Sequence, residues 1–282
     1  MTGRFSRSLA LARASWAVVR ADKELLWLPV LSVLALLLLL GSFVLPAAAL
    51  GQLGSAAPAD PGPGVAAGAF VFYVVAYFVA IFFNTALVGA AMIRMDGGNP
   101  TLRDGLAIAW ARVGRIFGYA LIAATVGLLL RALEERVGWV GQIIVKLIGV
   151  GWTLATFLVV PVLVTRDLGP VAAVKESASL LRTTWGENLI GTVGLGLAFG
   201  VAYFAVFMVG GGLVVLAAQS GLAVLAAGVV VLGIVTIVVL SALQATMQGV
   251  YAAALYRFAT EPENPRNAFA PDIMQAAFQT KR

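Results

Sequence analysis

The sequence predicts an all-α membrane protein: a polytopic helical bundle of six transmembrane helices. Three observations carry this. Hydrophobic residues make up 61% of the 282 residues and charged residues only 11%, against about 45–50% and about 25% in a soluble domain. Mean hydropathy is +0.98. The apolar residues gather in six runs, each near the roughly 20 residues that cross a bilayer as a helix.

The first run, 25–50, carries no charge, and it reads as an anchor rather than a cleaved signal despite Ala47–Ala49 after Pro46. The second covers 66–93. The third, 116–130, is short, but its pattern begins at Val113. The fourth, 137–165, is interrupted only by Lys146. The fifth covers 189–216. The sixth, 222–256, is too long for a core of about 30 Å and must tilt or project beyond it.

Basic residues set the expected orientation, because cytoplasmic loops collect Lys and Arg. Sixteen of the 19 fall at the N-terminus (Arg4 to Lys23), after run two (Arg94, Arg103, Arg112, Arg115), after run four (Arg166, Lys175, Arg182) and at the C-terminus (Arg257 to Arg282). The opposite loops hold Arg131 and Arg136, offset by Glu134 and Glu135. Both termini are therefore expected in the cytoplasm, with the chain a multi-pass protein of a bacterial inner, or plasma, membrane. The net charge of +6 reads as this topology signal and as attraction to anionic lipid on the cytoplasmic leaflet. Nucleic acid is not an expected partner.

A short amphipathic segment precedes each odd-numbered run. Phe5, Leu9, Ala12, Trp16 and Val19 recur at helical spacing. So do Leu102, Leu106, Ala109, Trp110, Val113 and Phe117, and again Pro170, Val174, Ala178, Leu181 and Trp185. Thr101 followed by Asp104 reads as an N-cap with its capping-box acid, and Pro170 suits a first helical turn. The chain is thus expected to be one transmembrane domain over 1–259. Its repeats run about 1–95, 96–166 and 167–259, each an interfacial helix plus a helical hairpin, and a cytoplasmic tail follows at 260–282. The competing account makes these segments the cytoplasmic ends of bent spans. Trp16, Arg103, Trp110, Arg112, Arg115, Lys175, Arg182 and Trp185 are the expected lipid-interface residues.

The stretches 8–16 (SLALARASW), 22–29 (DKELLWLP), 84–89 (NTALVG), 157–161 (FLVVP) and 174–182 (VKESASLLR) resemble an uncharacterised family of bacterial six-span membrane proteins, a domain-of-unknown-function family. The chain is also loosely similar, mostly in architecture, to the membrane domain attached to some bacterial glycerophosphodiester phosphodiesterases. The likeness covers roughly residues 1–260. It implies the six-span fold and brings no catalytic residues, because the phosphodiesterase chemistry belongs to a separate soluble domain.

Polar groups inside spans are the first functional suspects. Asn84 and Thr85 lie in run two, Lys146 and Pro161 in run four, Gln244 and Gln248 in run six. Asn84 is expected near mid-membrane, with a partner inside the bundle and close to Gln244. Proline at 161 removes a backbone donor and bends a helix, so a groove open to the cytoplasm is one expectation. Simple interhelical bonding by the amides is the other. Lys146 is expected to snorkel toward Glu134 and Glu135. Arg131 and Glu135 are i, i+4 partners. Gly114-x-x-x-Gly118 and Gly196-x-x-x-Gly200 permit close helix approach. Gly210–Gly212 reads as a hinge or a helix end.

The chain has no Cys and no His. Zinc, iron–sulfur and haem sites rest mostly on those residues, so no cofactor or metal is expected. No phosphate loop of the Walker type is present. An enzyme is therefore not the expectation. The leading reading is a non-enzymatic scaffold, regulator or lipid-organising module, acting alone, as a homo-oligomer or with a membrane-protein partner. The alternative is a channel or facilitator for a small or lipidic solute, with its path at the repeat interface.

Overall fold

A computed structural model describes residues 20, 22–49, 62–185 and 193–261. The described residues are helical, with no strand among them. A 3-10 turn at Lys23–Leu26 leads into α1 (Trp27–Ala49). There follow α2 (Pro63–Met95), α3 (Leu102–Ala111), α4 (Val113–Arg136), α5 (Trp139–Ala155), α6 (Val159–Thr165), α7 (Pro170–Trp185), α8 (Val193–Gln219) and α9 (Ala223–Thr260). Six helical segments are long and apolar enough to cross a membrane. They coincide with the six runs, and the third begins at Val113 as its pattern predicts. The first amphipathic segment, with Trp16, lies outside the described residues.

The chain forms two compact units. One comprises Leu31–Ala90 and Pro100–Thr183, and the other Met1–Val30, Ala91–Asn99 and Thr184–Arg282. α1 and α2 run from one unit into the other.

In the first unit, α2 through α7 pack most tightly toward the end where α2 stops and α4 starts, here termed the basic end. Phe82, Ala86, Leu87 and Val88 of α2, Ile116, Ala120 and Ala124 of α4, and Leu158 through Val164 around α6 are buried. The outer part of α5 is largely exposed apolar surface, including Trp139, Ile143 and Leu147. α4 and α5 form a hairpin across the short link at Val137 and Gly138.

Span four is not one helix. α5 ends at Ala155, and the chain restarts as α6 at Val159. Pro161 falls in the first turn of α6, where it has no N–H to offer the carbonyl four residues back. The buried Leu158 N–H leaves the helix ladder and donates to the Ser177 Oγ of α7 at 3.0 Å. Non-helical backbone at membrane depth survives only when its polar groups find such partners.

In the other unit α8 and α9 pair along their length. α9 has 38 residues, about 57 Å at 1.5 Å per residue, and its buried residues all lie between Ala242 and Tyr256. The surplus length is therefore the packed part. Gly210–Gly212 is neither hinge nor terminus, because α8 runs through it unbroken. Gly97, at φ +85°, closes α2 with Gly98 N–H bonded to Ile93 C=O and Gly97 N–H to Arg94 C=O, a Schellman end that favours glycine.

Candidate functional site

The features with the most chemistry converge on the elbow between α3 and α4, in the first unit. α3 starts on a reciprocal cap. The Thr101 Oγ1 accepts from the Asp104 N–H at 3.3 Å, and Asp104 Oδ2 accepts from the Thr101 N–H at 2.9 Å. The Thr101 hydroxyl also donates to Oδ2 at 2.7 Å. These bonds, the side-chain one first, hold the Asp104 carboxyl below its usual range. Four residues later Gly105 lies against α2: a Cβ there would stand 2.7 Å from the Ala86 carbonyl oxygen and 3.4 Å from the Ala90 Cβ. Ala109 continues the inward face and is fully buried.

Ile108 packs on Gly89 of α2, whereas Trp110 of the same helix points the other way. Trp110 is 64% exposed and Phe117, one turn into α4, is 50% exposed. The Trp110 ring meets the Phe82 ring edge-on at 5.3 Å, and Phe117 meets Phe78 at 6.0 Å. Arg103 is exposed beside them. Arg112 is the single residue out of helical conformation between α3 and α4, at φ −120° and ψ 12°. Arg115 pairs with Asp167, and Arg112 Nε and Arg115 Nη1 are buried without a partner among the described residues.

α7 sits on the same unit in a similar way. Ala173, Ser177 and Leu181 are buried. Pro170 packs on Gly118, whose added Cβ would meet Pro170 Cγ at 2.7 Å. Arg166 pairs with Glu176 at 2.7 Å. Lys175 and Arg182 are exposed. The side chain of Trp185 lies outside the described residues. Gly105 and Ala109 in α3, and Ala173 and Ser177 in α7, occupy matching places four residues apart.

The suspects inside the spans fare differently. Thr85 is buried and bonds its own helix, donating to Ile81 C=O at 2.7 Å. Gln244 accepts from the Tyr203 hydroxyl at 2.9 Å. Lys146 reaches Glu134 at 3.3 Å, and Arg131 reaches Glu135 at 3.1 Å, as their spacing predicts. Gln248 is exposed, without a hydrogen-bond partner among the described residues.

Asn84 departs from expectation. It too is exposed and unpaired among the described residues. It lies between Phe82, which touches Trp110, and Ala86, which backs Gly105. It stands on the stretch of the 33-residue α2 against which α3 packs. Asn84 and Gln244 belong to different units.

A row of hydroxyl groups in the first unit escaped the sequence. Tyr73 and Tyr77 stack on α2 with ring centroids 5.8 Å apart. Tyr73 lies close to Arg131 near the α4–α5 link, the Tyr77 hydroxyl abuts Gly127, and Tyr119 lies close to Thr156 at the break in span four. The i, i+4 spacing of Tyr73 and Tyr77 in an apolar run was the available signal.

Among described residues no three His, Cys, Asp or Glu side chains converge to hold a metal. A model of a family of unknown function, DUF6159, matches residues 65–265. This is well over half of the chain, and the chain belongs to that family. The matched region takes in both described elbow helices. No curated protein and no solved structure matches the chain.

Proposed function

We propose that the protein is a non-enzymatic, lipid-organising module of the cell membrane, with both termini cytoplasmic and its elbow helices set against anionic lipid of the inner leaflet. One observation carries this reading: α3 turns its small residues, Gly105 and Ala109, toward protein, while Trp110 and Arg103 of α3 and Phe117 of α4 face outward. In water such large apolar side chains would be buried. At a bilayer surface they enter the acyl boundary while arginine reaches the headgroups. The repeated elbow, of which α3 and α7 are the described copies, would multiply this contact on one leaflet. The test is co-flotation with vesicles of increasing phosphatidylglycerol content. The triple variant Arg103→Gln, Arg112→Gln, Arg115→Gln should weaken the dependence by about 1 kcal/mol per charge near the surface. An unchanged dependence defeats the reading.

A second reading, a facilitator for a small or lipidic solute, draws on the hydroxyl row from Thr156 and Tyr119 to Tyr73 and Arg131. Flux into proteoliposomes that Tyr119→Phe abolishes would favour it over the first.

A further inference from the structure

We propose that the elbow between α3 and α4 is a discrete phospholipid site, with the phosphate held by Arg112 and Arg115 and an acyl chain lying along Phe117 and Leu121. This rests on the lipid-organising reading and narrows it from a basic surface to one bound molecule.

Two guanidinium groups three residues apart each keep a buried N–H that nothing among the described residues accepts: Arg112 Nε and Arg115 Nη1. A desolvated cationic donor without an acceptor is costly, and a phosphate oxygen is the acceptor whose geometry a guanidinium fits best. The one counter-ion present, Asp167, engages the other terminal nitrogen of Arg115 and is itself 86% exposed. Such a solvent-screened pair is weak and leaves room for an anion.

Space is also provided. Gly114 lies between the two arginines on an exposed turn, and a Cβ built there meets nothing within 4 Å. From that opening an exposed apolar strip runs up α4 through Phe117 and Leu121, with Trp110 on its other side. Residues 114, 117 and 121 follow at 3-4 spacing within α4, so they share one face of that helix. An anion without a tail would use the arginines alone. The strip commits the site to a phospholipid rather than free phosphate.

The experiment is native mass spectrometry of the full chain in detergent, titrated with phosphatidylglycerol, with phosphatidylcholine, or with inorganic phosphate. Gly114→Asp puts a carboxylate where the phosphate would sit and leaves every arginine in place. Gly114→Asn is its neutral counterpart of equal size. Unfolding without lipid checks that both fold. Wild type should retain one tightly held phosphatidylglycerol; Gly114→Asn, which fills the same space without a charge, should hold it less tightly, and Gly114→Asp should bind it about fivefold more weakly than Gly114→Asn, the equivalent of one charge near the surface. Equal retention by the Asp and Asn variants overturns the site. So does protection by inorganic phosphate equal to that by the lipid. If those variants bind equally while the triple arginine variant still loses its vesicle dependence, the discrete site falls and the lipid-organising reading stands. If the triple variant keeps its dependence, that reading falls as well.

Discussion

Gly105 and Gly114 are nine residues apart on either side of one elbow, and the structure predicts opposite effects of the same substitution. At Gly105 a Cβ would be driven to 2.7 Å from a backbone carbonyl oxygen of α2 and 3.3 Å from its carbon. Backbone atoms cannot rotate away as a side chain can. Overpacking of this kind costs about 1–3 kcal/mol, and with no flexible neighbour the upper part of that range applies. Alanine recovers about 0.8–1 kcal/mol of helix propensity. Gly105→Ala should therefore lower stability by about 1–2 kcal/mol. At Gly114 nothing lies within 4 Å, so Gly114→Ala gains the propensity alone and should raise stability by about 0.4–1 kcal/mol. Reversible unfolding of both variants in the same mixed micelles reads the two signs together. A Gly105→Ala protein as stable as wild type, or two shifts of the same sign, would refute the close α2–α3 packing.

The capped start of α3 and the broken fourth span make two further predictions. Ser177→Ala removes the acceptor of the buried Leu158 N–H and should cost about 1–3 kcal/mol, with faster hydrogen exchange at Leu158; unaltered exchange there would show that Ser177 does not hold the break. Thr101→Ala should cost about 1 kcal/mol near neutral pH. The Asp104 carboxyl titrates below its usual value because Thr101 bonds it. Its contribution is therefore present above the unfolded value, about 3.9, and is lost as pH falls through the lower folded value. The gap between wild type and Thr101→Ala should narrow on acidification below about pH 4, to what the bond from the Asp104 N–H to the Thr101 hydroxyl contributes, and a gap that stays constant to pH 2 would contradict the capping box.

The spans and caps were legible because their signals are local. Apolar run length marks the spans, Thr101 and Asp104 mark the start of α3, and Pro170 marks the start of α7. The facing of the elbow was harder to read. The apolar stripe of α3 was visible, yet of its protein-facing residues Gly105, Ile108 and Ala109 only Ala109 belongs to that stripe. Helix contacts inside a membrane favour small residues, so a stripe of large apolar residues does not by itself mark the side that meets protein. Asn84 was expected to find a partner inside the bundle, but its neighbours Phe82 and Ala86, not the amide, meet α3. Pro161 signalled a disturbance in span four, but the partner that stabilises the break, Ser177, is 19 residues downstream of Leu158 and carries no local signature. The ion pairs of Lys146 and Arg131 were readable from spacing alone.

The proposed facing of the α3 elbow toward lipid is most directly tested by photocrosslinking. A photoreactive side chain at position 110, in membranes containing phosphatidylglycerol, should crosslink lipid. The same group at position 108, where Ile108 packs on Gly89, should crosslink protein within the chain. Protein adducts from position 110, or lipid adducts from both positions alike, would contradict the account.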